Sequence, residues 1–448
     1  MLILQRGLNW ILQTGYSTVL LFSRNEMFSH ASAAAYYFLL AIPPMILLLV
    51  SLLNTSLINN PELTAALFAF LSQFNEQLSE DFFRKIGILE AKTAVSGLGL
   101  LGFLWTSRLI ISAVQSAFGV IFPSSLSRSF FWSNLLSMVL VPGVLVMLLL
   151  SALFNAAIRL LSRHLERFAW LERLYDLMLP LTGIFLPAAL VFGLIFICYR
   201  FLPMAGPRSR DAALGAGFCT LSIFGLKALF MRFVPLAGYH IMYGSLGVVI
   251  FMLLWVYLVF TVFFLFAQFV QVAGRIDIIA LDKIISLQDN NGGFGSRLEN
   301  ALFVRSKRVH ARYARQVKDG EYIFRQRDTD SEIYYLFSGR IEILSDKPDS
   351  GEPDHIATIE EGDIFGEMAY LLGEERLYSA RAVGDSVLLR ISPDIFESLL
   401  GQSPAVARKI ITSMGLRLKQ TATTTAVHTT EAETSLPNDT TEADAGIG

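Results

Sequence analysis

The sequence predicts an all-α polytopic membrane domain of six transmembrane helices, followed by a small antiparallel β-barrel with flanking helices. Three observations carry this expectation. The 448-residue chain is 53% hydrophobic and only 17% charged, with mean hydropathy +0.52, whereas soluble domains carry about 25% charged residues. From Leu246 to Phe269 there is no charged residue, and roughly 20 apolar residues suffice to cross a hydrocarbon core of about 30 Å. Beyond Gly274 the composition becomes polar, and short apolar runs recur at turn spacing.

In chain order, Met1 to Phe22 mixes Leu, Ile and Trp10 with Gln5, Arg6 and Gln13 and has no small-residue cleavage site after a clean apolar core. Residues 1–30 are therefore expected to form an interfacial amphipathic helix. The membrane domain is expected over residues 31–275. Its first span, Ala31 to Leu53, carries Pro43-Pro44, which should kink it. Residues 54–93 hold Glu62, Glu76, Glu80, Asp81, Arg84 and Lys85 among apolar positions and are expected to form a hairpin outside the hydrocarbon. The further spans are expected at Ala94–Val120, Leu135–Ala157, Met178–Tyr199, Ala212–Phe233 and Leu246–Val272.

Orientation does not follow from loop charge. Eight Lys and Arg, among them Arg24, Arg128 and Arg208, fall on the side of the N-terminus, against seven, among them Arg84, Arg159 and Arg173, on the other. Intramembrane polar side chains are expensive and tend to pair or to line cavities. Arg108, Lys227, Asn155 and Gln268 are the candidates, either as a polar cavity or anionic headgroup site, or as snorkelling and internal structural partners. No acidic residue falls deep in a span, which argues against a carboxylate proton relay. Cys198 and Cys219 lie in apolar segments and are expected as small buried residues. The net charge of -2 gives no sign of nucleic-acid binding.

The segments AAAYYFLLAIPPMILLLVSLL, GLLGFLWTSRLIISAVQSAFGVIF, YRFLP with DAALGAGFCTLSIFGLKALFMRF, and YGSLGVVIFMLLWVYLVF resemble the YihY/BrkB family of six-span bacterial inner-membrane proteins, over about residues 20–275. The resemblance implies an inner-membrane protein tied to envelope and lipid phenotypes, including serum resistance in a pathogen, with lipid export as the suspected role. Members have also carried the name ribonuclease BN. A metal-dependent nuclease of that kind needs a dense histidine and aspartate cluster, and the six histidines here (His30, His164, His240, His310, His355, His428) are scattered. Neither a metal site nor enzymatic activity is expected.

After a linker at residues 276–302, with DNNGGFGS inside it, come EYIFRQ, EIYYLFSGRIEIL, HIATIE and SARAVGDSVLLRIS. Helices are expected at Pro393–Gly401 and Pro404–Gln420. KDGEYIFRQRDTDSEIYYLFSGRIEIL followed by EEGDIFGEMAYLLGEERLYSARAVGDSVLLRIS looks like a cyclic nucleotide-binding domain, a jelly-roll barrel spanning residues 303–420. The resemblance implies cAMP or cGMP as ligand, bound by the cassette Gly366, Glu367, Met368 and Ala369, with Glu367 on the ribose and Arg376 on the phosphate. Three positions depart from the family pattern. Leu377 and Tyr378 stand where Ser or Thr and then Ala are usual, and Arg327 replaces a common glycine before Asp328. One lost donor to a charged group is worth roughly 1.5–3 kcal/mol, so a degenerate domain serving as a scaffold stays open beside true nucleotide binding.

Residues 421–448, rich in Thr, Glu and Asp, read as a disordered tail. Because cyclic nucleotides are cytosolic, the resemblance implies that both termini are cytoplasmic. The sequence thus leads to an inner-membrane protein that is transporter-like or lipid-handling and controlled by a cytoplasmic nucleotide domain. The lipid bilayer is its partner, an oligomer is open, and nucleic acid is not expected. A non-transporting scaffold and a ligand-gated channel are the alternatives.

Overall fold

A computed structural model describes residues 2–54, 94–123, 185, 187–204, 206–233, 236–287, 297, 299–304, 307–345 and 353–415. The expected hairpin at 54–93, the span at 135–157 and the tail at 421–448 lie outside these residues, Asn54 apart, as does the first part of the span at 178–199. The chain divides into two compact units. One is Thr14–Gly274, and the other joins Met1–Gln13 to Arg275–Gly448.

In the membrane-type unit the helices are α1 (Leu2–Arg24, shared with the other unit), α2 (Met27–Asn54), α3 (Ala94–Ile121), α4 (Pro187–Phe201), α5 (Ser209–Phe233) and α6 (Leu236–Leu287). Stretches of α3, α5 and α6, namely Leu101–Ile121, Ser209–Phe230 and Val249–Ser286, are long and apolar enough to cross a membrane. Helix α2 runs through Pro43 and Pro44 as one helix.

Small residues let these helices approach. Ala31, Ala34, Ala117, Ala212, Ala216 and Ala267 are fully buried in one cluster with Phe118, Tyr199 and Phe264, as expected where packing rather than hydrophobic exclusion drives association. At the tightest point a Cβ added to Gly215 of α5 would lie 2.2 Å from Val270 Cγ2 of α6. The Tyr199 hydroxyl, buried among rings, donates to the Phe263 carbonyl at 2.6 Å.

Helix α1 is amphipathic in an inverted sense. Gln13, Thr14, Ser17 and Thr18 are buried, while Ile11, Leu12, Val19 and Leu20 are exposed. An outward apolar stripe of this kind suits a lipid surface rather than water. Gln13 is fixed at its Nε2, which donates to the Leu302 carbonyl at 2.7 Å.

Among its described residues the C-terminal unit holds a π-helical turn (Asn300–Val304), α7 (Lys307–Tyr313) and eight strands: β1 (Ala314–Val317), β2 (Tyr322–Phe324), β3 (Ile333–Ser338), β4 (Ile341–Ser345), β5 (Asp354–Ile359), β6 (Ile364–Phe365), β7 (Ser379–Ala382) and β8 (Ser386–Ile391). Helix α8 (Glu367–Leu372) follows β6, α9 (Pro393–Gln402) follows β8, and α10 covers residues 404–415. The strands form two four-stranded antiparallel sheets, ordered β1-β8-β3-β6 and β2-β7-β4-β5. Inward residues of both sheets, including Leu336, Ile341, Phe365, Ala380 and Leu388, share one core.

Helix α6 continues to Leu287, into residues that the sequence assigns to a linker, and its last turns are tied within the C-terminal unit. Arg312 pairs with Asp277 at 2.5 Å and Lys283 with Glu299 at 2.8 Å. The Ser403 hydroxyl is hydrogen-bonded to Asp282, and Val406 N–H donates to Ser403 Oγ at 3.2 Å. Lys409 Nζ donates to the Ile285 carbonyl at 3.4 Å; a cation is favourable at a helix C-terminus.

Candidate ligand site

The site grows from the junction of β6 and α8. The backbone must reverse after Phe365, and Gly366 does so at φ 79, capping a helix that Gly373 closes at φ 68. A Cβ on Gly366 would stand 2.9 Å from Arg376 Nη1 and 3.2 Å from the Glu332 carbonyl, so this close approach as well as the left-handed backbone calls for glycine. In the first turn of α8, Glu367 and Ala369 are buried and Met368 is half-buried.

Arg376 is the keystone. Its side chain is 2% exposed, and it grips Asp330 with both ends of its fork, Nε to Oδ1 at 2.9 Å and Nη2 to Oδ2 at 3.0 Å. The same guanidinium donates to the Gly366 carbonyl and to the Glu332 carbonyl, each at 2.6 Å. It also lies 4.1 Å from the Phe324 ring centroid, on an aromatic floor where Phe324, Tyr334 and Phe365 stack at 5.6–6.2 Å. Planar bidentate pairing and stacking are arginine properties that lysine lacks.

Beside the keystone is a cavity of about 500 Å³, lined by Gln326, Arg327, Gly373, Glu374, Glu375, Arg376 and Leu377. Its far wall is the turn from Arg325 to Asp328, in which Asp328 N–H donates to the Arg325 carbonyl at 3.1 Å and Arg325 N–H to Asp328 Oδ2 at 2.7 Å. The turn is laced to the cassette by Arg327 N–H on the Arg376 carbonyl at 2.8 Å and by Arg376 N–H on the Asp328 carbonyl at 2.9 Å. Leu377 and Tyr378 are 40% and 37% exposed.

The structure brings Gly366 and Arg376 into contact and sets Glu367, Met368 and Ala369 next to them in sequence on α8. Arg376 is committed to the protein's own oxygens, although its position in the motif leads one to expect it facing a ligand. The described intramembrane candidates lie on three different helices, Arg108 on α3, Lys227 on α5 and Gln268 on α6. Arg108 is exposed on the outward face of α3, with Trp105, Ser112 and Ser116, whereas the outward face of α5 presents Leu214, Phe218 and Leu221. Lys227 is exposed near the end of α5. Gln268 is buried and structural: it accepts from Asn25 Nδ2 at 3.2 Å and donates to Gln271 Oε1 at 3.1 Å. Asn155 lies outside the described residues. Sequence reasoning did not single out Asp330, Phe324 or the Glu332 carbonyl; the acidic run Asp328-Thr329-Asp330 was the available signal.

Comparison with known proteins bears on both units. The model of the family described as virulence factor BrkB matches residues 19–277, more than half of the chain. The chain belongs to the virulence factor BrkB family. In this BrkB-family protein a second model, the cyclic nucleotide-binding domain, matches residues 314–403, which contain the cassette, the keystone and the cavity. Among curated relatives, a cyclic AMP receptor protein of Thermus thermophilus is 31% identical over 101 residues, 22% of this chain and 46% of that protein. Patatin-like phospholipase domain-containing protein 6 of Homo sapiens is 27% identical over 101 residues, 22% of this chain and 7% of that protein. The BrkB-family chain spans 6–46% of the length of the curated relatives it matches. Among solved structures, the catabolite activator protein of Thermus thermophilus aligns with TM-score 0.26 and 23% identity over 32% of this chain and 63% of that one.

Proposed function

We propose that this protein is a multi-pass component of the bacterial inner membrane, with both termini cytoplasmic, that moves or handles a lipid or another polar envelope component. A cyclic nucleotide, cAMP or cGMP, controls it from the C-terminal domain. The role is not enzymatic. The nucleotide binds at the cassette formed by Gly366, Glu367, Met368 and Ala369 and framed by Arg376, and the polar outward face of α3 around Arg108 serves the membrane domain's cargo.

The observation that carries this reading is the joint between α6 and α10. Helix α6 contains the apolar stretch Val249–Ser286, and its last turns hold the start of α10 through Asp282–Ser403 and Lys409–Ile285. A ligand that shifts α10 therefore acts on the helix that includes a membrane span, and it does so by whatever difference in affinity it has for the two positions.

The test is lipid movement by the purified full chain in vesicles, measured with labelled phospholipid and with saturating cAMP or cGMP. The expected result is a rate that changes with nucleotide and falls in Arg108→Gln. Movement that ignores both nucleotides would sink the regulatory half of the proposal. No movement under any condition would leave a membrane scaffold.

A further inference from the structure

Residues 305–315, RSKRVHARYAR, hold Arg305, Lys307, Arg308, Arg312 and Arg315 and no acidic residue. Such a block of like charge repels itself unless something outside the block balances it. Helix α7 forms the middle of the segment and runs straight into β1 at Ala314. Along the chain the block lies well past Leu287, where α6 ends, yet the fold brings it back. Arg312 pairs with Asp277 at 2.5 Å across 35 positions, and Asp277 stands three residues beyond Gly274, the last residue of the uncharged run that starts at Leu246.

The first charges after an uncharged run mark where a spanning helix leaves the hydrocarbon. Three helical residues rise about 4.5 Å, and the headgroup layer adds roughly 5–7 Å on each side of the hydrocarbon. With α6 in the bilayer, Arg312 is therefore held at the depth of the headgroups. A second tie lies in the same unit. Gln13 donates to the Leu302 carbonyl, and the turn of α1 that carries it exposes Ile11 and Leu12, at 60% and 48%. An apolar face and a basic cluster together are the two signals that keep a protein surface on a bilayer.

We infer that residues 305–315 dock on the headgroups of anionic phospholipids in the bilayer that α6 crosses; this rests on the reading of α6 as a membrane span and not on the nucleotide. Clusters of about four to eight Lys and Arg beside a span suit that surface, and the arginine fork matches phosphate oxygens. The fold does not use up the cluster. Arg312 and Arg315 pair with Asp277 and Glu321 but stay 63% and 39% exposed, and pairs of that exposure are weak. Because α7 continues into β1, the lipid charge at the bilayer surface becomes a second input to the C-terminal domain.

The experiment places the full chain in lipid nanodiscs, with a fluorophore on Ala311→Cys and a nitroxide quencher on a fraction of the headgroups. Ala311 is exposed, while Cys198 and Cys219 are buried. Quenching should be at least about twofold greater with about 30% phosphatidylglycerol than with phosphatidylcholine alone. The excess should shrink as salt rises from about 0.1 M to about 1 M, which shortens the Debye length from about 10 to about 3 Å. The triple variant R305Q/K307Q/R308Q, which leaves both ion pairs in place, should lose most of the excess at an unchanged melting temperature. Equal quenching in the two kinds of disc, or an excess that the triple variant keeps, overturns the inference and leaves α6 a span. Quenching that ignores lipid charge but falls on adding a single-stranded oligonucleotide overturns it in favour of nucleic acid. A chain that does not enter the discs overturns both the inference and the span.

Discussion

Removing Arg376 would leave the Asp330 carboxylate and two carbonyls without the donors that hold the loop from Asp328 to Glu332 against α8. Losing one member of a buried pair costs about 3–5 kcal/mol in fully buried cases; Asp330 is 41% exposed, so about 2 kcal/mol is a fairer expectation. Arg376→Lys should recover little of it, because a point charge cannot grip both carboxylate oxygens and lie on Phe324 at once. Gly366→Ala combines a left-handed penalty of about 1–2 kcal/mol with a Cβ 2.9 Å from Arg376 Nη1. Differential scanning of the full chain should show the C-terminal transition lowered by several degrees in both Arg376→Ala and Gly366→Ala, and an unchanged transition in Gly366→Ala would contradict the close approach described here. The nucleotide-binding type of the domain was legible in the sequence, because FGEMAYLL and the turn glycines Gly320, Gly339, Gly362 and Gly366 resemble that family's pattern. What that pattern could not convey is that Asp330, some 46 residues before Arg376, occupies the guanidinium; only the sheet pairing brings them together.

Among the elements, α5 and α6 meet where Gly215 faces Val270. Gly215→Val would place three carbons where one already lies 2.2 Å from a neighbour, and overpacking of this kind typically costs about 1–3 kcal/mol. The expected outcome is a lower yield of folded protein in the membrane fraction, whereas Gly225→Ala, with nothing within 4 Å of the added carbon, should leave the yield alone. The helices α3, α5 and α6 were legible from composition, since long uncharged runs have few other fates. The inverted face of α1 was half legible: the mixture of Leu, Ile and Trp10 with Gln5, Arg6 and Gln13 suggested an amphipathic helix, but only packing reveals that the polar side, with Gln13 and Thr14, is the buried one. The end of α6 was not legible. Residues from Arg275 onward carry charge and lose the transmembrane signature, yet the helix persists because Asp277, Asp282 and Lys283 find partners at Arg312, Ser403 and Glu299.

For the whole molecule, α6 matters through its length. Its 52 residues extend about 78 Å at roughly 1.5 Å per residue, far more than the hydrocarbon requires. Asp282→Asn weakens, and Ser403→Ala deletes, the tie to α10 without touching the cavity beside Arg376. Under the proposed function, each should in the vesicle assay leave nucleotide affinity within about twofold and blunt the proposed response of lipid movement to nucleotide; a full response in both variants would show that the joint does not carry the signal.

The bond from Gln13 to Leu302 sets an order on the making of this protein. A ribosome delivers α1 before α6, yet the carbonyl that accepts from Gln13 is 289 positions away and exists only after α6 has been made. Until then the Gln13 amide lacks the carbonyl that it meets in the folded unit, while the apolar side of α1 can already meet lipid. Helix α1 is thus completed only after α6 has followed it, and a nascent chain arrested before Leu302 carries in α1 an amide that marks it as unfinished.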